Sequence, residues 1–75
     1  MPEDVLWTLY PNPASGVVFL EGLENQAEVT ISDMMGRVVS SFTAHGTREA
    51  VDVSALSAGT YFVRIGGCVQ KLIVK

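Results

Sequence analysis

The sequence predicts an all-β domain, a sandwich or small barrel of about seven short antiparallel strands, on three observations. Apolar residues recur with a period of two rather than 3.6 along most of the chain. Glycine, proline, asparagine and aspartate separate the apolar runs at short intervals, as turns do in antiparallel sheets. No segment carries three turns of helical period, which disfavours an α+β fold. At 75 residues the chain has room for one domain, and we expect a single domain over 1–75.

The first two strands are predicted on either side of a proline-containing segment. Val5, Trp7 and Leu9 alternate with Leu6 and Thr8, which is the period of a strand. Pro11–Pro13 should then end the strand, because proline has no donor N–H and restricts the residue before it. The apolar run Val17–Glu21 is the next strand, and we expect Val18 and Leu20 to point inward.

A β-hairpin is predicted over 27–43. Val29 and Ile31 alternate with polar residues, as in a half-buried strand. Asp33–Gly36 has the composition of a type I turn, in which aspartate bonds back to the backbone and glycine accepts a positive φ. Val38–Thr43 then returns as the partner strand.

The remaining segments are predicted from the same signals. Ser54–Gly59 is the one helix-like stretch, and because it is too short for a stable helix we expect a single turn ended by Gly59 in the left-handed conformation. The other elements follow in order: a turn over 22–26, a loop over 44–47, a short strand around Val51 and Val53, a strand over 60–65 with Tyr61, Val63 and Ile65 on one face, a turn at Gly66 and Gly67, and a last strand over 69–75.

Composition excludes several classes of protein. Hydrophobic residues make up 48% of the chain and charged residues 17%, which is too apolar for a disordered tail. No apolar run approaches the roughly 20 residues that a membrane-spanning helix needs. The net charge of −3 leaves no basic face for nucleic acid or for an anionic membrane surface. We therefore expect no nucleic-acid partner and no membrane insertion.

The residues that carry most enzyme chemistry are scarce. His45 is the only histidine and Cys68 the only cysteine, and they lie far apart in the sequence. No serine lies in a G-x-S-x-G elbow, and zinc would require several cysteine or histidine ligands. Two pairs of carboxylates, Glu3 with Asp4 and Glu21 with Glu24, are interpreted as surface charge rather than as a calcium site. We expect no catalytic residue, no metal and no cofactor.

Two features bear on where the protein acts. Met1–Asp4 is acidic and lacks the basic-then-apolar pattern of a secretory signal. We interpret the chain as a fragment of a longer secreted or surface protein, with Met1 added for expression. Cys68 is interpreted as a small, half-buried strand residue, and a single thiol leaves the redox compartment open.

Four motifs, in order along the chain, resemble those of the C-terminal sorting domains of the type IX (Por) secretion system, type A. The resemblance covers residues 6–75, nearly the whole chain. The motifs are a YPNP signature in Leu9–Ala14, a D-x-x-G-[RK]-x-[VL] hairpin in Asp33–Val39, an L-x-x-G-x-Y segment in Val53–Tyr61 and a terminal K-[LIV]-x-[VI]-K strand in Gln70–Lys75.

The resemblance implies an Ig-like β-sandwich that acts as a secretion and sorting signal in Bacteroidetes. Such a domain is recognised by the outer-membrane translocon and its shuttle component, and a surface sortase peptidase usually removes it upstream of its first strand. The attached protein would be exported through the periplasm to the cell surface or the extracellular space. Some family members keep the domain and stay on the surface.

The resemblance also selects candidate recognition residues, each with a structural alternative. Pro11, Asn12 and Pro13 form either a rigid turn or part of the recognised surface. Gly36 and Gly59 fit backbone requirements for positive φ or close approach.

Tyr61 is expected to pack its ring in the core and bond its hydroxyl to a loop, much like the tyrosine corner of Ig folds, or else to contact a partner. Lys71 and Lys75 share a face with Val69 and Ile73. They either blunt an edge strand or are read by the translocon. Phe62, on the face opposite Tyr61, either marks an exposed apolar patch or is covered by a loop.

Two functions are consistent with these residues and motifs. The first is a sorting signal read by the translocon. The second is a surface-retained Ig-like module that binds protein or carbohydrate, which rests on analogy of fold. Oligomeric state stays open, because an exposed edge strand would allow two copies to pair as a dimer.

Overall fold

The computed structural model describes residues 7–23 and 26–75, and all regular structure in those ranges is β. The strands follow one another through short connections, which confirms the all-β prediction. In chain order they are β1 (Thr8–Ser15), β2 (Val17–Glu21), β3 (Ala27–Asp33), β4 (Val38–Ala44), β5 (Arg48–Asp52), β6 (Gly59–Ile65) and β7 (Cys68–Val74).

The strands form two sheets that share β1. Strands β1, β2 and β5 make a three-stranded antiparallel sheet, and β4, β3, β6 and β7 make a four-stranded antiparallel sheet. The first half of β1, Thr8–Tyr10, pairs with β2, whereas Ala14 pairs with Val74 of β7 in parallel. The predicted Ig-like β-sandwich is therefore confirmed, with one parallel pairing that joins the two sheets.

The core lies between the facing sides of the sheets. Removing a large aliphatic side chain from water contributes about 1.5–3 kcal/mol, so these residues supply most of the favourable free energy of folding. Val18 and Leu20 point inward as predicted, and each is 0% exposed. The largest fully buried side chains come from both sheets: Leu20, Ile31, Leu72, Val18, Val29, Val53 and Val63.

The predicted hairpin is present as β3, a tight turn and β4. The Gly36 N–H donates to the Asp33 carbonyl at 3.0 Å, and Gly36 has the positive φ, 84°, that the turn requires. Ile31 pairs with Ser40 but Ser32 pairs with Val38, so one extra residue bulges out of β4 at position 39.

The prediction that Pro11–Pro13 ends the first strand was wrong. Strand β1 continues to Ser15, although its pairing with β2 is interrupted between Tyr10 and Ser15. In that interval the chain crosses from the edge of one sheet to β7 of the other. In this interval a side chain bonds to β7, as described below.

The single turn predicted over Ser54–Gly59 is present, closed by a hydrogen bond from the Leu56 N–H to the Val53 carbonyl at 3.0 Å. The Asp52 carboxylate accepts the Ser54 N–H at 2.9 Å and directs the chain into this turn. The prediction that Gly59 ends the turn in the left-handed conformation was wrong, because Gly59 begins β6 with a φ of 157°, far from the left-handed helical value near +57°.

Some predictions lie outside the described residues, namely those for Val5, Leu6, Glu24 and the pair Glu3 and Asp4. Within 7–23 and 26–75 there is no helix long and apolar enough to cross a membrane.

Candidate functional site

The four sequence motifs meet near one end of the sandwich. The odd-numbered strands all run toward this end, because each pairs antiparallel with even-numbered strands and β1 runs parallel to β7. We call it the motif end. It carries the β1–β2 connection, the turn that contains Gly36, the connection that leads to Gly59, and Lys75. The opposite end carries the β2–β3, β4–β5 and β6–β7 connections.

Asn12 joins the first motif to the last one. Its Nδ2 donates to the Lys71 carbonyl at 3.0 Å, and its Oδ1 accepts the Ile73 N–H at 2.9 Å. One amide side chain thus bonds a C=O and an N–H two residues apart on β7, as the backbone of a neighbouring strand would.

The register of the two strands shows which backbone groups the side chain replaces. With Ala14 opposite Val74, residue 12 comes opposite Leu72, where its own backbone would bond the Lys71 carbonyl and the Ile73 N–H in a regular parallel pair. The contact then continues with backbone groups, since the Lys75 N–H donates to the Ala14 carbonyl at 2.9 Å. Near the other end of β7, the Gln70 side chain donates to the Trp7 carbonyl at 2.6 Å. We call this line of contacts between β1 and β7 the seam.

The seam changes the interpretation of the two lysines. Strand β7 lies between β6 and β1, so it is not an edge strand, and Lys71 and Lys75 do not blunt an edge. That structural alternative was wrong because β1 covers the outer side of β7. Both lysines are exposed, and their side chains project from the outer face of the four-stranded sheet, opposite the buried Leu72 and Val74.

The outer face of β6 and β7 is cationic and partly apolar. Phe62 pairs with Lys71, and Arg64 pairs with Val69, so their side chains adjoin on this face. Phe62 is half-buried, whereas Val69 is 48% exposed. We call this surface the cationic face; it consists of Thr60, Phe62, Arg64, Val69, Lys71, Ile73 and Lys75, which include three cations and no carboxylate.

Tyr61 is placed as the sequence predicts. Its ring is 7% exposed and belongs to the core, while its hydroxyl donates to the Ser57 carbonyl at 2.6 Å. The hydroxyl therefore ties the β5–β6 connection to the sheet at the motif end.

Two carboxylates organise turns at the motif end. The Arg37 N–H, with the Met35 N–H and the Arg37 guanidinium, donates to Asp33 and lowers the pKa of that carboxyl below its ordinary value of 3.8. Hydrogen bonds from Ser54 lower the pKa of Asp52 in the same way. Both carboxylates are ionised at neutral pH, and both accept hydrogen bonds from backbone N–H groups of their own turns.

The residues considered for catalysis do not form a site. His45 follows β4 and Cys68 begins β7, which are the two outer strands of the order β4-β3-β6-β7. Three strand spacings, about 14 Å, separate those strands. Cys68 is half-buried, as predicted. The described part of the chain brings no three His, Cys, Asp or Glu side chains together as a metal-binding group.

Two surface features were missed from the sequence. Met34 and Met35 at the tip of the hairpin are 71% and 81% exposed, which the turn composition alone does not indicate. On the outer face of the three-stranded sheet, the rings of Tyr10 and Phe19 lie 5.6 Å apart and the Arg48 guanidinium lies 4.7 Å from the Phe19 ring centre. The pairing of Asn12 with β7 was missed too, because its two partners lie 59 and 61 residues away along the chain.

Comparisons with known proteins agree with the resemblance of the motifs. Residues 8–75 match the family described as "Secretion system C-terminal sorting domain". The structure is similar to part of PorZ, which is described as an essential bacterial surface component of the type-IX secretion system of human oral-microbiomic Porphyromonas gingivalis. The TM-score is 0.81 at 20% identity, over 92% of this chain and 11% of the PorZ chain.

At that identity the likeness to PorZ shows a shared fold, and the chain corresponds to about a tenth of PorZ. No curated protein sequence matches this chain. The family match alone covers nearly all of the described residues. The chain belongs to the family of secretion system C-terminal sorting domains.

Proposed function

We propose that this domain directs an attached protein across the outer membrane, through the type IX translocon, to the cell surface or the extracellular space. The observation that carries the proposal is the family match over residues 8–75. The seam supports it, because the YPNP signature and the terminal strand form one hydrogen-bonded unit. On this proposal the partners are the translocon, its shuttle component and a sortase peptidase that cleaves ahead of β1.

The candidate residues divide into those that contact the translocon and those that position them. Pro11, Pro13, Lys71 and Lys75 are exposed and lie along or beside the seam, so they are available for direct contact. The positioning residues hold backbone in place: Asn12 holds β7, Gly36 and Gly59 permit turns at the motif end, and Tyr61 ties down the β5–β6 connection.

Charge indicates what kind of surface the translocon presents. The chain has a net charge of −3, yet three of its five cations lie on the cationic face. Half-buried Phe62 and exposed Val69 lie among those cations. A complementary partner surface is apolar at its centre and carries carboxylates around it, which would both orient the domain and speed its encounter.

The test is export of a reporter protein fused ahead of residues 1–75 in a strain with type IX secretion. We expect the intact fusion to reach the surface. Changing Lys71→Ala and Lys75→Ala together should lower export about tenfold, since the loss of two exposed charge contacts amounts to roughly 1.4 kcal/mol. Arg48→Ala, which removes a cation from the other sheet, is the matched control and should export normally.

Retention of the intact fusion in the periplasm would overturn the proposed function. Removal of 72–75 should also abolish export, because it deletes three of the seven residues of β7 and the Ile73 N–H that bonds Asn12. If that truncation blocks export while the two lysine changes do not, the lysines are not contact residues.

A second candidate function is supported by the aromatic pair on the three-stranded sheet. The exposed ring of Tyr10 and the half-buried ring of Phe19 lie beside the Arg48 guanidinium, and aromatic surfaces of this kind can stack against sugar rings or aromatic side chains. A surface-retained binding module predicts binding on a glycan array that Phe19→Ala removes. A blank array for the folded wild-type domain would count against it.

A further inference from the structure

The two free edges of the sandwich differ in charge. In the strand order of the described sheets, β4 and β5 are the terminal strands, each with one side unpaired. The five residues of β5 include Arg48, Glu49 and Asp52, and charges of this kind prevent edge-to-edge pairing. The seven residues of β4, with the sequence VVSSFTA, include no charge and no proline. Only its start is irregular, at the bulge of Val39.

A cleft lies beside this uncharged edge. It has a volume of about 300 Å³ and is lined by Ser40, Phe42 and Thr43 of β4 and by 49–52 of β5. Consecutive strands β4 and β5 belong to different sheets and are joined through 45–47, so the cleft lies between the two sheets at their open side. Ser40 pairs with the inward-facing Ile31, which directs its side chain toward the cleft.

The β5 wall of the cleft is acidic. Glu49 pairs with Leu20, which is fully buried, so its side chain points to the inner side of the sheet and toward the cleft. Asp52 lines only the rim of the cleft, because it pairs with Val17 and its side chain shares the outer face of the sheet with Arg48. The nearest cation in sequence, Arg48, lies over the Phe19 ring on the opposite face of the same sheet.

We propose that β4 binds an extended segment of a partner protein by strand addition, with small apolar side chains and one basic side chain entering the cleft opposite Glu49. The free backbone groups of β4 supply affinity, and the cleft supplies selectivity for alternate side chains. A second copy of this chain fits less well, because its own β4 offers no basic residue to the acidic wall. The site lies across the molecule from the seam and is independent of the proposed sorting function.

The probe is a seven-residue peptide of alternating threonine and valine with lysine in place of the central valine. We expect it to protect the amides of β4 from hydrogen exchange and to leave those of β5 unchanged. A peptide with glutamate in place of lysine should bind at least tenfold more weakly, as should the lysine peptide to the E49Q variant. E21Q removes a carboxylate from the exposed end of β2 and should leave binding unchanged.

A second pair of variants tests the edge itself. Ser40→Lys places a lysine inside the cleft and should abolish peptide binding, whereas Ala50→Lys at an exposed position of β5 should not. Thermal unfolding confirms that each variant is folded. Absence of β4 protection, or equal affinity for the two peptides, would overturn the proposal. So would protection of β4 that rises with protein concentration alone and coincides with a dimer in sedimentation, since the occupant would then be a second copy.

Discussion

Asp33 and Asn12 do the same kind of work over very different distances along the chain. Each side chain bonds two backbone groups that would otherwise lack a partner. Asp33 accepts N–H groups two and four residues away and closes the hairpin turn. Asn12 bonds groups 59 and 61 residues away and attaches β1 to β7. The local bonds shape one turn, whereas the distant bonds determine how the two sheets are joined.

The difference between local and distant hydrogen bonds determines how much a single substitution should destabilise the fold. Loss of a local cap loosens a turn whose strands are still held by ladder pairing along β3 and β4. Loss of the Asn12 amide leaves a single ladder pair, Ala14 with Val74, between the two strands that join the sheets. A single substitution in the seam should therefore lower the free energy of unfolding more than a single substitution in the hairpin turn.

Asn12→Ala should have the largest effect of the single changes. It removes both bonds to β7, and because those groups are partly accessible to water we expect a loss of about 2 kcal/mol rather than the full cost of buried unpaired groups. Urea unfolding measures this loss, and hydrogen exchange should show the Ile73 amide losing protection. Thr8→Ala, at an exposed position of β1, is the matched control and should be near neutral. An Ile73 amide that keeps its protection would contradict the long-range role of Asn12.

Gly36→Ala should be milder and confined to the hairpin. A side chain at φ 84° costs about 1 kcal/mol, and nothing lies within 4 Å of the added Cβ, so the cost is backbone strain rather than a clash. We expect faster exchange of amides next to the turn and an unchanged Ile73 amide. Faster exchange of the Ile73 amide in this variant would show that the hairpin and the seam are coupled. It would contradict the expectation that each responds only to changes in its own residues.

The smallest expected effect is a difference in how stability depends on pH when Asp33 or Asn12 is replaced. The pKa of Asp33 is lowered in the folded protein, so its contribution to stability is present above the ordinary value of 3.8 and is lost as pH falls through the lower folded value. Asn12 does not titrate. Asp33→Asn should therefore flatten part of the acid limb of a stability–pH curve, while Asn12→Ala should shift the whole curve down without changing its shape. Equal acid limbs for wild type and Asp33→Asn would contradict the role given to that carboxylate.

The same contrast explains how much could be predicted from the sequence. Features that depend on neighbouring residues could be predicted from the sequence. They are the Asp33–Gly36 turn, the inward positions of Val18 and Leu20, and the hydrogen bond of the Tyr61 hydroxyl. Pro11–Pro13 was interpreted as a break, because the groups that allow β1 to continue lie at the other end of the chain.

Features that depend on the order of strands could not be predicted either. The lysines of β7 were considered as protection of an edge, but β1 occupies that side. The real edges are β4 and β5, and their difference in charge acquires meaning only once their positions are known. Gly59 was expected to end the turn that starts at Ser54 in the left-handed conformation, but it begins β6 instead. Which residues the translocon contacts stays a prediction.

The parallel arrangement of β1 and β7 has a mechanical consequence. A pull on the chain ahead of β1, against a hold on the end of β7, acts along the two strands in opposite directions. The seam bonds of Asn12, Ala14 and Gln70 then bear the load together in shear, instead of opening one after another like a zipper. The seam therefore resists a force that draws the first and last strands apart along their length.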